Sequence, residues 1–165
     1  MSTIIIYATK YGSVEKCAKM LAEKIGGDVR LVNIEKDDAP CLECAENVII
    51  GGSIYAGSIQ KSIRNFSAEN LKALLPKRIG LFVCAAERED PRKTEQIDRA
   101  FPSRLREKAV SIECFGDEIT WEKLSGFHKL MMKIIAKKSE SYSNIDESAI
   151  DRMAEKISLI KKGTT

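Results

Sequence analysis

The sequence passes from a run of isoleucines into a helical pattern within a few residues, in "IIIYATKYGSVEKCAKML" beginning at Ile4. Residues 4–8 are apolar and β-branched, which predicts a buried strand. We expect Ser13 to cap a helix, because apolar residues then recur at helical spacing up to Ile25 and Gly26 ends the pattern. A buried strand joined to a helix by so short a loop is typical of a parallel βαβ unit.

The same alternation continues along the chain. Further strands are predicted at residues 29–34, 47–50, 79–86 and 109–116. Further helices are predicted at 61–75, with a break allowed at Ser67, on either side of Pro102, and after residue 144, where Asn144 and Glu147 resemble a capping box. This alternation predicts an α/β fold, a doubly wound five-stranded parallel sheet with helices on both faces. Because no internal repeat or linker divides the chain, we expect a single domain over residues 1–165.

Composition narrows the class of protein. Hydrophobic residues make up 44% and charged residues 31%, as in globular proteins. The net charge of +3 has no arginine–aromatic motif beside it, so we expect no nucleic acid partner. The N-terminal residues predict a first strand rather than a signal peptide, and no apolar run approaches a membrane-spanning length. We therefore expect a cytoplasmic protein.

Five cysteines are scattered through the chain, and two of them, Cys41 and Cys44, form a C-x-x-C pair. The chain has no second such pair, and its only histidine, His128, lies far away in the sequence. A four-ligand zinc or iron–sulfur site therefore cannot be assembled with ordinary spacing, and we predict no metal. For this pair we favour a coincidence of loop ends over a redox role.

The loop after the first strand carries the features of an anion site. It would lie at the carboxyl edge of the sheet and run into a helix N-terminus, where free N–H groups favour a negative charge. The Walker pattern is absent, and Gly12 is the one glycine where a dinucleotide fingerprint needs three. Gly12 with the hydroxyls of Thr9, Tyr11 and Ser13 suits a single terminal phosphate, and the alternative is an ordinary strand–helix turn.

Two further loops would meet the first at the same edge, "GGSIYAGSIQ" after the third strand and "CAAERED" after the fourth. Gly57 permits backbone geometry that a side chain would block, and Tyr55 can stack on a planar ring. A lone tyrosine is more often a partly buried core residue, so the prediction depends on the convergence of three loops. Together they predict a site for a phosphate and a flat aromatic group.

The segments "IIIYATKYGSVEKCA", "VIIGGSIYAGSI" and "LFVCAAERED" resemble the three flavin-contacting segments of flavodoxin-like proteins, in order and spacing. The resemblance implies the strand order 2-1-3-4-5 and FMN as cofactor. It implies a phosphate site at Thr9, Lys10, Tyr11, Gly12, Ser13 and Val14. It implies an isoalloxazine site at Ser53, Ile54, Tyr55, Ala56, Gly57, Cys84, Ala85, Ala86 and Glu87. The family usually has threonine where this chain has Val14, and the charge of Lys10 could compensate for the missing hydroxyl.

An extra segment, "TWEKLSGFHKLMMKIIAKKS", precedes the last helix and predicts an amphipathic helix at about 121–138. One interpretation is a core-packing helix with a solvated lysine face, which we favour. The other is a surface that meets a membrane, a quinone or a partner protein. The segment resembles the Trp-led helix of menaquinone-dependent protoporphyrinogen dehydrogenases of haem synthesis, through Trp121, Phe127, Met131 or Met132, Lys133 and Lys137.

That resemblance implies an FMN-dependent oxidoreductase that oxidises a porphyrinogen and passes electrons to a quinone. Gly57 would then hydrogen-bond the reduced flavin N5, and Glu87 and Glu89 would tune the flavin potential. No catalytic acid or base is predicted, His128 included. Two alternatives remain: a flavodoxin-type electron carrier without a substrate, which the basic charge disfavours, and a cofactor-free binding module.

Overall fold

The computed structural model describes residues 2–38, 40–86, 90–137 and 139–159. Apolar runs form the central strands because both of their faces are covered. Eight strands are present in this part of the chain: β1 (Thr3–Tyr7), β2 (Val29–Asn33), β3 (Asn47–Tyr55), β4 (Ser58–Ile59), β5 (Arg78–Cys84), β6 (Ser111–Cys114), β7 (Gly116–Ile119) and β8 (Tyr142–Ile145).

Five of these strands form one parallel sheet in the order β2-β1-β3-β5-β6. The two-residue β4 pairs antiparallel with the end of β3, and β7 pairs with β8 in a separate two-stranded antiparallel sheet. Leaving out β4, the order is the predicted 2-1-3-4-5. The predicted fold class, a doubly wound α/β sheet, is therefore confirmed.

The helices cover both faces of the sheet. They are α1 (Ser13–Ile25), α2 (Lys61–Glu69), α3 (Leu71–Leu74), α4 (Asp90–Ala100), α5 (Ser103–Lys108), α6 (Gly126–Met131) and α7 (Glu147–Ser158). Side chains alternate across each strand, so Ile5 and Ile49 pack with α1 and α7 on one face. Ile4 and Ile50 pack on the other face with residues of α2, α3 and α5. The core therefore has two layers, and it leaves the carboxyl edge of the sheet to the loops.

Three local features differ in detail from the predictions. Gly12, not Ser13, is the N-cap of α1, because its left-handed φ of 92° turns the chain into the helix and Ser13 is already helical. Asp146 caps α7 by accepting a hydrogen bond from the Ala149 N–H at 3.1 Å, whereas Asn144 lies in β8. The predicted helix at 61–75 divides at Asn70, where α2 and α3 meet.

The extra segment also differs from the single helix expected at about 121–138. Trp121–Lys123 form a 3₁₀ turn, α6 follows, and Met132–Ala136 continue with π-type hydrogen bonds. Ser125 starts a new helix by accepting a bond from the His128 N–H, which interrupts the periodic pattern. Lys138 lies outside the described residues.

Candidate functional site

A pocket of about 270 Å³ opens at the carboxyl edge of the sheet, where β1, β3 and β5 end. Three loops and the two-stranded β7–β8 sheet form its wall. Its lining residues are Lys10, Tyr11, Ser13, Ser53, Ile54, Tyr55, Ala56, Cys84, Ala85, Ala86, Asp117, Glu118, Ile119, Met132 and Tyr142. Ten of these were predicted site residues, so the structure brings the three predicted loops together.

The other predicted residues have different positions. Thr9, Gly12 and Val14 belong to the first loop beside the pocket, and Gly57 to the turn after β3. The Val14 side chain is fully buried in the core, so only its backbone can face a ligand of the loop. Glu87, with Glu89, lies outside the described residues.

The first loop has the geometry of an anion site. The Gly12 N–H donates a hydrogen bond of 3.0 Å to Thr9 Oγ1, which leaves the Thr9 hydroxyl hydrogen available to a ligand. The first helical hydrogen bond of α1 runs from the Lys16 N–H to the Gly12 carbonyl. The preceding N–H groups, those of Ser13, Val14 and Glu15, are therefore the ones that a helix leaves unpaired at its start. Their dipoles favour an anion at this point.

Two lysines flank this loop. Lys10 Nζ lies over the Tyr11 and Tyr55 rings, 5.6 and 5.4 Å from their centroids. Lys123 Nζ, from the extra segment, lies 3.6 Å from the position that a Cβ on Gly12 would take. Sequence reasoning predicted Lys10 and missed Lys123, whose position depends on how the extra segment folds back onto α1.

A tight turn shapes the second loop. Ala56 and Gly57 both have positive φ, 47° and 78°, as the two central residues of the hairpin between β3 and β4. No described atom lies within 4 Å of the place where a Gly57 side chain would begin. The turn therefore presents an open stretch of backbone next to Tyr55, which is 43% exposed.

Gln60 holds two of the loops in register, a role that no sequence pattern indicates. Its Oε1 accepts from the Ser53 N–H at 2.9 Å. Its Nε2 donates to the Ala8 carbonyl at 3.2 Å and to Ser53 Oγ at 2.9 Å. The side chain thus joins the end of β1 to the end of β3 beside the pocket. A lone amide after a turn motif carries no pattern that would have revealed these partners.

An aromatic cluster closes one side of the pocket. The ring centroids of Tyr11 and Tyr55 lie 6.2 Å apart, and His128 lies 5.4 Å from Tyr11 and 5.8 Å from Tyr55. Burial, with a smaller contribution from the nearby Tyr11, raises the pKa of Tyr55 to about 12. The Tyr11 hydroxyl is buried and makes no hydrogen bond of normal geometry with a described residue. The cluster therefore keeps one polar atom available at the pocket.

The β7–β8 sheet supplies a wall of the pocket that sequence analysis did not predict. Tyr142 Oη donates a hydrogen bond to Asp117 Oδ2, and burial followed by this carboxylate raises the pKa of Tyr142. Glu118 pairs with Lys16 of α1, Nζ to Oε1 at 2.6 Å. The β7–β8 sheet pairs residues about 25 positions apart in sequence. The only available signal was that the alternation of the sixth strand continues into "GDEI".

The extra segment lies over the pocket. Met132 lines it, and His128 contacts both tyrosines of the aromatic cluster. Its outward apolar side chains are not covered: Phe127 is 68%, Leu130 55% and Ile134 64% exposed. The favoured interpretation, a core-packing helix, is therefore wrong for these residues, although Leu124 is buried.

Comparison with protein-family models identifies the family of this chain. The model of the flavodoxin domain matches residues 4–146, which is most of the chain. This chain is a member of the flavodoxin domain family. Comparison with curated protein sequences gives no match. The family resemblance predicted from the three loops is therefore confirmed at the level of the flavodoxin domain.

Solved structures agree with this flavodoxin fold. A short-chain flavodoxin associated with a non-canonical PDU bacterial microcompartment is 14% identical with a TM-score of 0.59, covering 95% of this chain and 97% of that one. Oxidised flavodoxin 1 from Bacillus cereus has the same identity and coverage, with a TM-score of 0.54. A flavodiiron core from Synechocystis is 15% identical with a TM-score of 0.51. The match covers 96% of this chain but only 34% of that longer protein.

The residues of this flavodoxin domain fit FMN. In this strand order FMN binds at the switch point between β1 and β3, and the pocket lies there. Unpaired N–H groups at the start of α1 suit the phosphate, and the buried Tyr11 hydroxyl, which has no hydrogen-bond partner among the described residues, suits a polar ligand. Family membership and this geometry both support FMN, the cofactor predicted from the sequence.

Proposed function

We propose that this flavodoxin-domain protein is an FMN-dependent oxidoreductase that oxidises a porphyrinogen and delivers the electrons to a quinone. The single observation that carries the proposal is the position of the extra segment. It covers the flavin pocket with His128 and Met132 and presents Phe127 and Ile134 outward. We take this exposed apolar face beside the flavin pocket as the contact for an apolar electron acceptor, because exposed apolar patches mark interaction sites.

The roles within the pocket follow from the contacts of each residue. The first loop would hold the phosphate, and Lys10 and Lys123 would neutralise its charge. The isoalloxazine ring would be held by two loops, one with Ser53, Ile54, Tyr55, Ala56 and Gly57 and the other with Cys84, Ala85 and Ala86. When bound, FMN supplies the electron-transfer chemistry, and the protein supplies binding and orientation. Met132 and Ile119 exclude water from the pocket.

The outer face of the extra segment is the proposed contact for a quinone and for a membrane surface that holds one. Its apolar residues Phe127, Leu130 and Ile134 are flanked by the exposed Lys133 and Lys137. Apolar side chains with flanking lysines favour peripheral attachment to anionic lipid. In the part of the chain that the structure describes, no helix is long and apolar enough to cross a bilayer. Attachment through one short amphipathic segment would be reversible.

The second candidate is a flavodoxin-type electron carrier without a small-molecule substrate, which exchanges electrons with a redox-partner protein. The flavodoxins among the similar structures favour it. The net charge of +3 disfavours it, because an acidic surface is what the sequence resemblance to ordinary carriers implies. The two candidates share the FMN site and differ in whether the chain turns over a substrate.

Anaerobic oxidation of protoporphyrinogen with a water-soluble menaquinone analogue separates the two candidates. The FMN-loaded protein should oxidise it faster than free FMN does. Phe127→Ser with Ile134→Ser should lower quinone-coupled turnover about tenfold, because apolar contacts of this size are worth well over 1 kcal/mol. Leu159→Ser, which changes an equally exposed leucine at the end of α7, should leave turnover unchanged. A rate no higher than that of free FMN would reject the dehydrogenase and favour the carrier.

A further inference from the structure

Two cysteines meet on the surface at the end of the molecule opposite the flavin pocket. Cys41 and Cys44 lie in the loop between β2 and β3, and both are exposed free thiols. Their Sγ atoms are 2.7 Å apart. A disulfide bond needs about 2.05 Å, so closing one requires the sulfur atoms to approach by only about 0.7 Å.

The loop is built to hold this arrangement. Leu42 and Ala45 are buried, and the Ala45 N–H donates to the Leu42 carbonyl at 3.2 Å, which closes a turn. Ser2 Oγ donates to the Cys44 carbonyl at 2.6 Å and fixes the turn to the start of β1. With its apolar residues directed inward, the turn presents both thiols on the same exposed side.

We infer that Cys41 and Cys44 form a thiol–disulfide exchange site whose oxidant is a low-molecular-weight disulfide. This inference replaces the interpretation of the C-x-x-C pair as a coincidence of loop ends. The described residues contain no group of three histidines, cysteines or acids that could hold a metal, so exchange chemistry rather than ligation is what the pair can perform.

The two thiols have different roles. A hydrogen bond joins the two thiols, and this bond, with backbone N–H groups of Cys44 and Glu43, lowers the pKa of Cys41. The same bond raises the pKa of Cys44. Because backbone N–H groups of Glu43 and Cys44 bond to the Cys41 sulfur, we assign the attack to the Cys41 thiolate and the resolving step to Cys44, since the thiolate is the nucleophile in exchange.

The exchange balances in two steps. The Cys41 thiolate attacks one sulfur of the small disulfide, its S–S bond breaks, and one small thiolate leaves. Cys44 then gives its proton to solvent and attacks the Cys41 sulfur, and the second small thiolate leaves. Two protein thiols are oxidised to one disulfide, and one small disulfide is reduced to two thiols.

This site is independent of the proposed function. It lies at the amino end of β3, a strand of nine residues whose carboxyl end forms the flavin pocket. At about 3.3 Å per residue the strand separates the two sites by about 26 Å. Failure of one assignment therefore leaves the other unaffected, and FMN binding should be the same for the oxidised and reduced protein.

The test uses the whole protein equilibrated in buffers of oxidised and reduced glutathione, followed by alkylation and intact mass measurement. We expect two thiols to become unreactive together, with the loss of two hydrogen atoms, no retained glutathione and a Cys41–Cys44 linkage on peptide mapping. The buried Cys17, Cys84 and Cys114 should still be alkylated after unfolding, and they serve as internal controls.

Single variants test the assigned roles. Cys44→Ser should retain one glutathione, on Cys41. Cys41→Ser should retain one glutathione on Cys44 and react more slowly than Cys44→Ser, because Cys44 lacks the backbone N–H bonds that stabilise a Cys41 thiolate. Full alkylation of both thiols at every glutathione ratio would overturn the proposal, as would separate glutathione adducts without an internal bond or equal rates for the two variants.

Discussion

Lys10 Nζ lies 3.2 Å from His128 Nε2, and this contact joins the phosphate loop to the extra segment that covers the pocket. An ammonium group can only donate, so Nε2 must be the unprotonated acceptor and Nδ1 carries the hydrogen. Nδ1 lies 2.6 Å from Ser125 Oγ, which can accept that hydrogen. The cover is therefore in contact with the flavin site through a neutral histidine.

The contact predicts the titration of His128. Burial, and then the positive charge of Lys10, lower its pKa from the usual 6.5. Replacing Lys10 with glutamine removes the second cause, so the pKa of His128 should rise towards 6.5. Because the chain has one histidine, a single imidazole signal in an NMR titration reports it. A pKa at or above 6.5 in the unchanged protein would contradict the neutral contact.

The same shift fixes the sign of a pH effect on stability. Between the lowered pKa of folded His128 and 6.5, the unfolded chain binds more protons than the folded one, so the free energy of unfolding should rise with pH through that window. Above 6.5 this contribution becomes constant. Urea unfolding of the parent and of His128→Gln, compared at several pH values, should show the variant without this slope. Equal slopes would count against it.

Lys10 and Lys123 should act on the phosphate and not on the ring. Replacing either with alanine should weaken FMN binding about fivefold to tenfold, the size of one charge-assisted contact, and leave riboflavin binding unchanged because riboflavin has no phosphate. Fluorescence titration with both flavins measures this. Lys108→Ala, which removes a lysine at the end of α5, is the control. Equal losses for both flavins would show that the lysines only shape the pocket.

Gln60 should affect both flavins alike. Gln60→Ala removes the bonds that join Ala8 to Ser53, so the ring-binding loop should lose its register and both affinities should fall about tenfold. Gln60→Glu keeps an acceptor for the Ser53 N–H and should fall less. The same fluorescence titration measures the effect. Unchanged affinity in Gln60→Ala would mean that the loops hold their geometry without this side chain.

Gly51 is required by packing inside β3. A Cβ there would lie 2.2 Å from the Phe82 ring, which is fully buried and cannot move away cheaply. Gly51→Ala should lower the free energy of unfolding by about 2–3 kcal/mol. Gly126→Ala meets no described atom within 4 Å and lies at the first position of α6, so it should be neutral or slightly stabilising. Urea unfolding of both variants decides whether contact with Phe82 sets the difference.

Much of the fold could be predicted because local sequence patterns indicate its strands and helices. The isoleucines of β1 indicated a strand, and the periodic apolar residues of α1 indicated a helix. The rules for connections in parallel sheets then predicted that the loops after the strands lie at one edge. The predicted end of the third strand at residue 50 was too early, because Gly51 and Gly52 stay in β3 to accommodate Phe82 and Gln60. That requirement comes from tertiary packing and leaves no local signal.

The rest of the candidate site depends on long-range contacts. Asp117 and Tyr142 meet only because β7 pairs with β8, and Lys123 reaches Gly12 only because the extra segment folds back over α1. Amphipathic spacing showed which side of that segment is apolar. It could not show that Phe127 and Ile134 face outward, because a core face and an uncovered face have the same periodicity.

We infer that a flavin phosphate binds at the start of α1, with the flavin ring under the extra segment. The decisive experiment is titration of the flavin-free protein with FMN and with riboflavin. We expect one FMN per chain, bound more tightly than riboflavin, with that preference reduced in Lys10→Ala and Lys123→Ala. Absence of FMN binding, or equal affinity for the two flavins in the unchanged protein, would show that the start of α1 is not a flavin phosphate site.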